Sequence, residues 1–186
     1  MKDHWILKSV KEVLQTVPFK VELLEYFDPK SNLPVKPPYH RLTSPDWINV
    51  FVVTKDSEFV LVEQKRAGVL DITLESPGGV VDPGEAPEVA ALRELEEETG
   101  YTTDKLVSLG STYPNPAILN NKLHMFLALD CYIPDSRKHY PDETESIKLQ
   151  IKPISSLSDL LDEGSINNAL SLLTGYKAEK YLNAIK

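Results

Sequence analysis

The stretch PGGVVDPGEAPEVAALRELEEETGY, Pro77 to Tyr101, passes from a glycine-rich turn into a helical pattern. Pro87 suits the first turn of a helix, where the N–H that proline lacks has no partner, and Gly100 suits the position just past the last turn. Between them, small and apolar residues recur at helical spacing and predict a packing surface. That surface consists of Ala86, Val89, Ala90, Ala91, Leu92 and Leu95.

Runs typical of β-strands lie on both sides of this helix. They are INVFVVT, FVLVEQKR and LDITLES before it, and KLVSLGSTY, KLHMFLALDCYI and ESIKLQIKPI after it. Two further helices are expected at about 155–162 and 166–182. Strands first, one central helix and helices at the end predict an α+β sandwich.

The first 45 residues form a proline-rich region with one clear strand pattern, FKVELLEYF, followed by a loop and a short extended return. We therefore predict a small β-rich subdomain at 1–45 and a main domain at 46–186.

The composition of the chain argues against several classes of function. The 186 residues are 41% apolar, and 20 Lys and Arg stand against 28 Asp and Glu, a net charge of −8 that disfavours nucleic-acid binding. The single cysteine, Cys131, excludes an intrachain disulfide and is expected in the core. No apolar run approaches the ~18 residues of a membrane span, and the N-terminus is charged, so we expect no membrane association and a cytoplasmic location.

Three glutamates of the central helix share one face. At about 100° per residue, Glu94, Glu97 and Glu98 fall within an arc of roughly 100° at the rim of the packing surface. Their repulsion costs about 0.2–0.5 kcal/mol per pair, and bound Mg²⁺ would cancel it because that ion prefers carboxylate oxygens. Arg93 can hold one of these carboxylates, whereas Glu96 lies off this face and is expected in solvent. A solvated acidic surface is the alternative interpretation.

The spacing of this stretch resembles the Nudix box of the Nudix hydrolases. The matching positions are Gly79, Glu85, Arg93-Glu94-Leu95, Glu97-Glu98 and Gly100-Tyr101. Only Tyr101 departs from the pattern, since the family more often has an aliphatic residue there. The resemblance implies a Nudix-type α/β/α sandwich with a mixed sheet. It also implies hydrolysis of the diphosphate bridge in a nucleoside diphosphate linked to another group.

The resemblance assigns roles within the box. Its metal ligands would be Glu94, Glu97, Glu98 and the backbone carbonyl of Gly78. They would hold two or three Mg²⁺ ions, with Mn²⁺ as a possible substitute. Arg93, which orients the carboxylates, and Glu97 would belong to the catalytic set, and Glu85 would support the turn before the helix. Ions at this place would neutralise the diphosphate and lower the pKa of a bound water.

Stretches outside the box resemble the branch that cleaves ADP-ribose and nucleoside diphosphate sugars. In VEQKR, Arg66 would contact the diphosphate, and Pro116 stands where this branch typically has proline. In DETESIKLQIKPI, Glu143 would be the general base and Glu145 would assist the metal or the water. A charged surface loop is the alternative for this last stretch.

The chain departs from the ADP-ribose enzymes after Pro116. Asn120 and Asn121 replace the acidic residue that reaches the terminal ribose in those enzymes, and Asn121 is the residue that we expect to contact the sugar. An amide still bonds a hydroxyl but carries no charge. A hexose-bearing nucleotide is therefore as plausible a substrate as ADP-ribose.

Aromatic residues usually hold the nucleobase in this branch. The candidates are Tyr39, Trp47 and Tyr113, with core packing as the alternative for each. The resemblance also suggests a homodimer with exchanged N-terminal strands. Two other functions share the box: nucleotide sensing without cleavage, which the intact glutamates disfavour, and sanitising of nucleoside triphosphates, which lacks the downstream proline and acidic loop.

Overall fold

The computed structural model describes residues 4–140 and 147–185, which form two compact units. The first comprises the described residues up to Pro45 together with Tyr113–Lys122. The second comprises Asp46–Thr112 and the described residues from Leu123 onward. None of the helices in the described part of the chain has the length and hydropathy to cross a membrane.

The first unit is a small antiparallel sheet. Its strands are β1 (Ile6–Gln15), β2 (Lys20–Asp28), β3 (Leu33–Pro34) and β4 (Tyr39–Thr43). β2 lies at the centre, with β1 on one side and β3 and β4 on the other. The sequence analysis missed β1, because nearly all its side chains are exposed and it lacks the alternation of a half-buried strand. Tyr113–Lys122 joins this unit through a bond from the Leu42 N–H to the Ile118 carbonyl, 2.7 Å.

The second unit contains a six-stranded mixed sheet. Its strands are β5 (Trp47–Thr54), β6 (Glu58–Arg66), β7 (Asp71–Glu75), β8 (Lys105–Thr112), β9 (Leu123–Cys131) and β10 (Ile147–Pro153). The order is β10-β6-β5-β9-β8, and β7 also pairs with β6. β5 and β9 run parallel, with Trp47 opposite Leu123, and the other pairs in the described sheet are antiparallel.

Helices cover both faces of this sheet. They are α1 (Pro87–Thr99), α2 (Leu157–Asp162) and α3 (Ala169–Ala184), and a short 3₁₀ turn (Ile154–Ser156) precedes α2. On one face, Ala90, Ala91 and Leu95 of α1 pack in a buried cluster with residues of β5. On the other face, Leu161 of α2 and Ala178 of α3 pack in a second cluster. The predicted α+β sandwich with a mixed sheet is confirmed.

The packing surface of α1 is narrower than the sequence indicated. Val89 is exposed and Ala86 is the residue before the first turn, so neither joins the core. Gly100 ends the helix with a positive φ of 76° and donates its N–H to the Glu96 carbonyl, 2.9 Å, as the sequence predicted. Cys131 is buried as expected, and burial raises the pKa of its thiol to about 12.

Candidate active site

The glycine-rich turn brings the chain directly against α1. A Cβ on Gly79 would lie 2.8 Å from Oε2 of Glu94 and closer still to its Oε1, so Glu94 occupies the space that a side chain would need. A Cβ on Gly78 would meet Asn49 Nδ2 at 2.9 Å and the Ile48 carbonyl even closer. Glycine is therefore required at 79 for the turn to approach the helix and at 78 for it to approach β5.

Arg93 makes five hydrogen bonds, one for each of its N–H groups: four to the carboxylates that surround it and one to a backbone carbonyl. Nε and Nη2 hold both oxygens of Glu85, at 3.1 and 3.0 Å. Nη1 donates to Glu94 at 2.8 Å and to Glu97 at 2.9 Å. Nη2 also donates to the Val80 carbonyl at 3.1 Å. Arg93 thus connects the turn to two glutamates of the helix.

Glu85 supports the turn on the other side of Arg93. It accepts the Asp82 N–H at 3.1 Å, which closes the turn before α1. Its hydrogen bonds with Arg93 hold the pKa of the Glu85 carboxyl below its usual value, against burial, which raises it. The same bonds raise the pKa of Arg93. The pair is therefore charged at neutral pH.

Glu98 is bound by a different set of donors. Gln64 Nε2 donates to its Oε1 at 2.7 Å and the Gly78 N–H to its Oε2 at 3.0 Å. Its side chain is buried between α1, β6 and the glycine turn. Gln64 is a functional candidate that the sequence analysis missed, although it lies two residues before Arg66 in the stretch VEQKR.

The donor set of the turn and helix suits a hard divalent ion. Glu94, Glu97 and Glu98 supply carboxylate oxygens and Gly78 a carbonyl, which are the ligand types that such ions prefer. Within residues 4–140 and 147–185, no three His, Cys, Asp or Glu side chains lie close enough together to hold an ion as they stand. An ion held by these groups would therefore have to replace some of their bonds to Arg93, Gln64 and the turn.

Glu96 contradicts the expectation that it is solvated. It is only 6% exposed, and its Oε1 accepts the Lys138 N–H at 2.6 Å. Arg137 donates to the carbonyls of Glu96 and Glu97 at the end of the helix. These partners follow Glu96 by about 40 residues, so helical geometry alone gave no signal of them.

A comparison with known families identifies this arrangement. The NUDIX domain model matches residues 45–168, two thirds of the chain. The chain belongs to the NUDIX family. Nudix hydrolases generally use divalent metal ions, in accord with the carboxylate cluster on α1.

This Nudix hydrolase is similar to relatives and to a solved structure that carry names. It is 31% identical over 125 residues to the ADP-ribose pyrophosphatase of Bacillus subtilis (strain 168), which is 67% of either chain. It is 28% identical over 127 residues to the ADP compounds hydrolase NudE of Escherichia coli (strain K12), 68% of this chain and 67% of that one. The crystal structure of an ADP compounds hydrolase matches with a TM-score of 0.81 over 97% of this chain and 95% of its own, at 24% identity. That last likeness shows the fold.

A cavity of about 250 Å³ in the second unit adjoins the Nudix box. Its lining includes Trp47, Arg66, Glu75 and Gly78, so three of the residues predicted from sequence lie together. Arg66 donates hydrogen bonds from Nε and Nη2 to the two carboxylate oxygens of Glu75, at 2.9 and 2.7 Å. Burial raises the pKa of the Glu75 carboxyl, but bonds from Arg66 and Thr73 outweigh it and the net shift is downward.

The sequence analysis missed Glu75 because β7 buries polar residues and exposes an apolar one, the reverse of a usual half-buried strand. In this strand Ile72 is exposed, whereas Thr73 and Glu75 are buried. The alternation of LDITLES therefore predicted the strand, but apolar residues alone do not mark its buried face. The bidentate bond to Glu75 fixes the plane of the Arg66 guanidinium at the cavity.

The first unit contains a separate cavity of about 530 Å³. Its lining includes Tyr39 and Pro116 from the predicted set, with Trp5 and Tyr26. The rings of Trp5 and Tyr39 lie 5.6 Å apart, and those of Tyr26 and Tyr39 5.9 Å. Tyr39 therefore belongs to an aromatic cluster, and half of its surface remains exposed.

Four predicted site residues remain: Tyr113, Asn121, Glu143 and Glu145. Tyr113 is exposed, and Asn121 is buried with an amide that has no hydrogen-bond partner among the described residues. Glu143 and Glu145 lie outside the described residues.

Proposed function

We propose that this Nudix hydrolase cleaves the diphosphate bridge of ADP-ribose or of a nucleoside diphosphate hexose. The products are a nucleoside monophosphate and a sugar phosphate. The observation that carries the proposal is the complete carboxylate set of α1, in which Arg93 holds Glu94 and Glu97 and the Gly78 N–H of the glycine turn holds Glu98. The printed names of the relatives, an ADP-ribose pyrophosphatase and an ADP compounds hydrolase, support this substrate class.

Two or three Mg²⁺ ions are the proposed cofactor, with Mn²⁺ as a substitute. Glu94, Glu97, Glu98 and the Gly78 carbonyl would hold them, and they would supply charge neutralisation and an activated water. Arg93 orients Glu94 and Glu97 through Nη1. Because Arg93 also holds Glu85 and the Val80 carbonyl, it fixes these carboxylates relative to the turn.

The substrate would be held by Arg66, by an aromatic residue and by Asn121. Arg66, fixed by Glu75, donates to the diphosphate. Tyr39 is the best candidate for stacking on the nucleobase, since its cluster presents an exposed aromatic surface. Trp47 and Tyr113 are alternatives. Pro116 would shape the first cavity, and Asn121 would bond a hydroxyl of the sugar.

The catalytic base is proposed from sequence. Glu143 would accept a proton from the attacking water, and Glu145 would assist. We also propose a homodimer through the N-terminal strands. It is supported by the exposed apolar side chains of β1, among them Val10, Val13 and Leu14, which a second copy would cover.

Product analysis in ¹⁸O-water tests the proposal. ADP-ribose, ADP-glucose, GDP-mannose and UDP-glucose are each incubated with Mg²⁺ and the enzyme. We expect a nucleoside monophosphate and a sugar phosphate, with one ¹⁸O in one of them. Tight binding without turnover would indicate a sensor, and cleavage restricted to nucleoside triphosphates would indicate a sanitising enzyme.

A matched pair of variants tests the metal site. Glu98→Gln removes one ligand charge and should lower kcat by about 10³-fold, since metal ligation supplies several kcal/mol of transition-state stabilisation. Glu88→Gln makes the same change at an exposed position in the first turn of α1 and should keep wild-type kcat. Equal rates for the two variants would refute the metal assignment.

A further inference from the structure

The segment of residues 137–139 lies against the last turn of α1. Arg137 Nη2 donates to the carbonyls of Glu96 at 2.6 Å and Glu97 at 2.7 Å, and its Nε donates to the His139 carbonyl at 2.6 Å. The Lys138 N–H donates to the Glu96 carboxylate. Side chain and backbone of this segment therefore bind the same helical turn.

These bonds involve the carbonyl groups at the C-terminal end of the helix. The Glu96 carbonyl also accepts the Gly100 N–H, at 2.9 Å. The carbonyls of the last turn carry partial negative charge, so a cation at this end is favourable. Arg137 supplies that cation, since the last turn of α1 contains no basic residue of its own. It bridges two successive carbonyls with one nitrogen.

Glu97 is consequently held at both its backbone and its side chain. Its carbonyl accepts from Arg137, and its Oε2 accepts from Arg93 at 2.9 Å. Its Oε1 lies 3.9 Å from Nδ1 of His139, which Arg137 binds through the His139 carbonyl. Glu96 accepts the neighbouring N–H and keeps the segment in place.

We propose that Arg137 is a positioning residue for Glu97. By docking on the end of α1, it fixes the last helical turn so that the Glu97 carboxylate is presented at the metal site. The inference rests on the proposed function in that Glu97 is taken as a metal ligand. Arg137 lies outside the Nudix box and would be a further residue that positions a metal ligand. Buried Glu96 would anchor the segment of residues 137–139 to α1.

The sign of the effect separates positioning from simple electrostatics. Arg137 is a positive charge near a cation site, so electrostatics alone would make its removal tighten metal binding. Loss of positioning would weaken metal binding, as changes to the partners of metal ligands typically do by 10–100-fold.

The experiment measures Mn²⁺ binding by calorimetry to protein stripped of metal with EDTA. Arg137→Met should raise the Kd for Mn²⁺ by about tenfold. Arg137→Lys keeps the charge and should raise the Kd by less. Lys138→Met is the matched control, because it removes one positive charge from the next residue and keeps the backbone N–H that Glu96 accepts. We expect its Kd to equal or fall below the wild-type value.

Hydrogen exchange on the metal-free protein gives a second readout. In Arg137→Met, the amide of Gly100 at the end of α1 should exchange faster, while amides of the first turn keep their wild-type rates. Mn²⁺ binding as tight as in Lys138→Met, with unchanged exchange at Gly100, would overturn the inference. If Arg137→Met does not fold, Arg137→Lys carries the test by the same two measurements.

Failure of the proposed function has a different signature. In that case the wild-type protein cleaves none of the sugar nucleotides, and the Kd and exchange measurements still decide the role of Arg137. Wild-type protein that binds no Mn²⁺ would overturn both proposals.

Discussion

Replacement of Arg93 by methionine should destabilise the metal-free protein by about 3–5 kcal/mol at pH 7. Four of the five bonds that Arg93 makes are to carboxylates, and its side chain is 18% exposed. Each bond to a charged group is worth about 1.5–3 kcal/mol, and these values do not add within one network. Removing one member of a buried charge network costs about 3–5 kcal/mol because its partners lose their compensation.

The loss should depend on pH. Arg93 holds the folded-state pKa of Glu85 below the ordinary value of 4.5, so the bond contributes fully above that value. Its contribution disappears as the pH falls through the lower, folded-state pKa. The difference between wild type and Arg93→Met should therefore shrink when the pH is lowered from 7 to about 3.

Urea unfolding in EDTA measures this difference at each pH. Lys105→Met is the control, since it breaks an ion pair with Asp130 whose side chains are 65% and 50% exposed. We expect that change to cost no more than about 1 kcal/mol. A loss in Arg93→Met as small as in Lys105→Met, or one that is the same at both pH values, would refute the reasoning.

Two further predictions concern the turn and the proposed base. Gly79→Ala should lower kcat by at least about tenfold and weaken the dependence on Mg²⁺, because the new Cβ displaces the Glu94 carboxylate; Gly68→Ala, where nothing lies within 4 Å of the new Cβ, should keep wild-type kcat in the same assay. Glu143→Gln should lower kcat by about 10²–10⁴-fold, as expected for loss of a general base, and Glu145→Gln by less. If both glutamine variants keep wild-type kcat, the base lies elsewhere.

Local signals allowed much of the catalytic helix to be predicted. Pro87 and Gly100 mark its ends, and the spacing of Glu94, Glu97 and Glu98 predicts that they share one face, all within one short stretch. The strands of the second unit also carry local patterns. The sequence therefore predicted the sandwich and the helix that carries the three glutamates.

Partners that are distant in the chain could not be predicted. Glu96 is buried by residues 137–139, which no helical pattern connects to it. Glu75 is buried in a strand whose Ile72 is exposed, so hydrophobic alternation gives no sign that this carboxylate is buried. In both cases tertiary contacts overrode the local rule.

The parallel pairing of β5 with β9 has a consequence for the order of folding. The hairpin of β5 and β6, the glycine turn and α1 are all synthesised before β9, which must then pair in register with β5 at Trp47 and Leu123. Such a long-range pairing closes a large loop and forms slowly relative to local structure. A nascent chain that ends after α1 already has every glutamate of the box but lacks the completed sheet beneath that helix. We expect competence for catalysis to arise late during synthesis, once the second half of the sheet has joined.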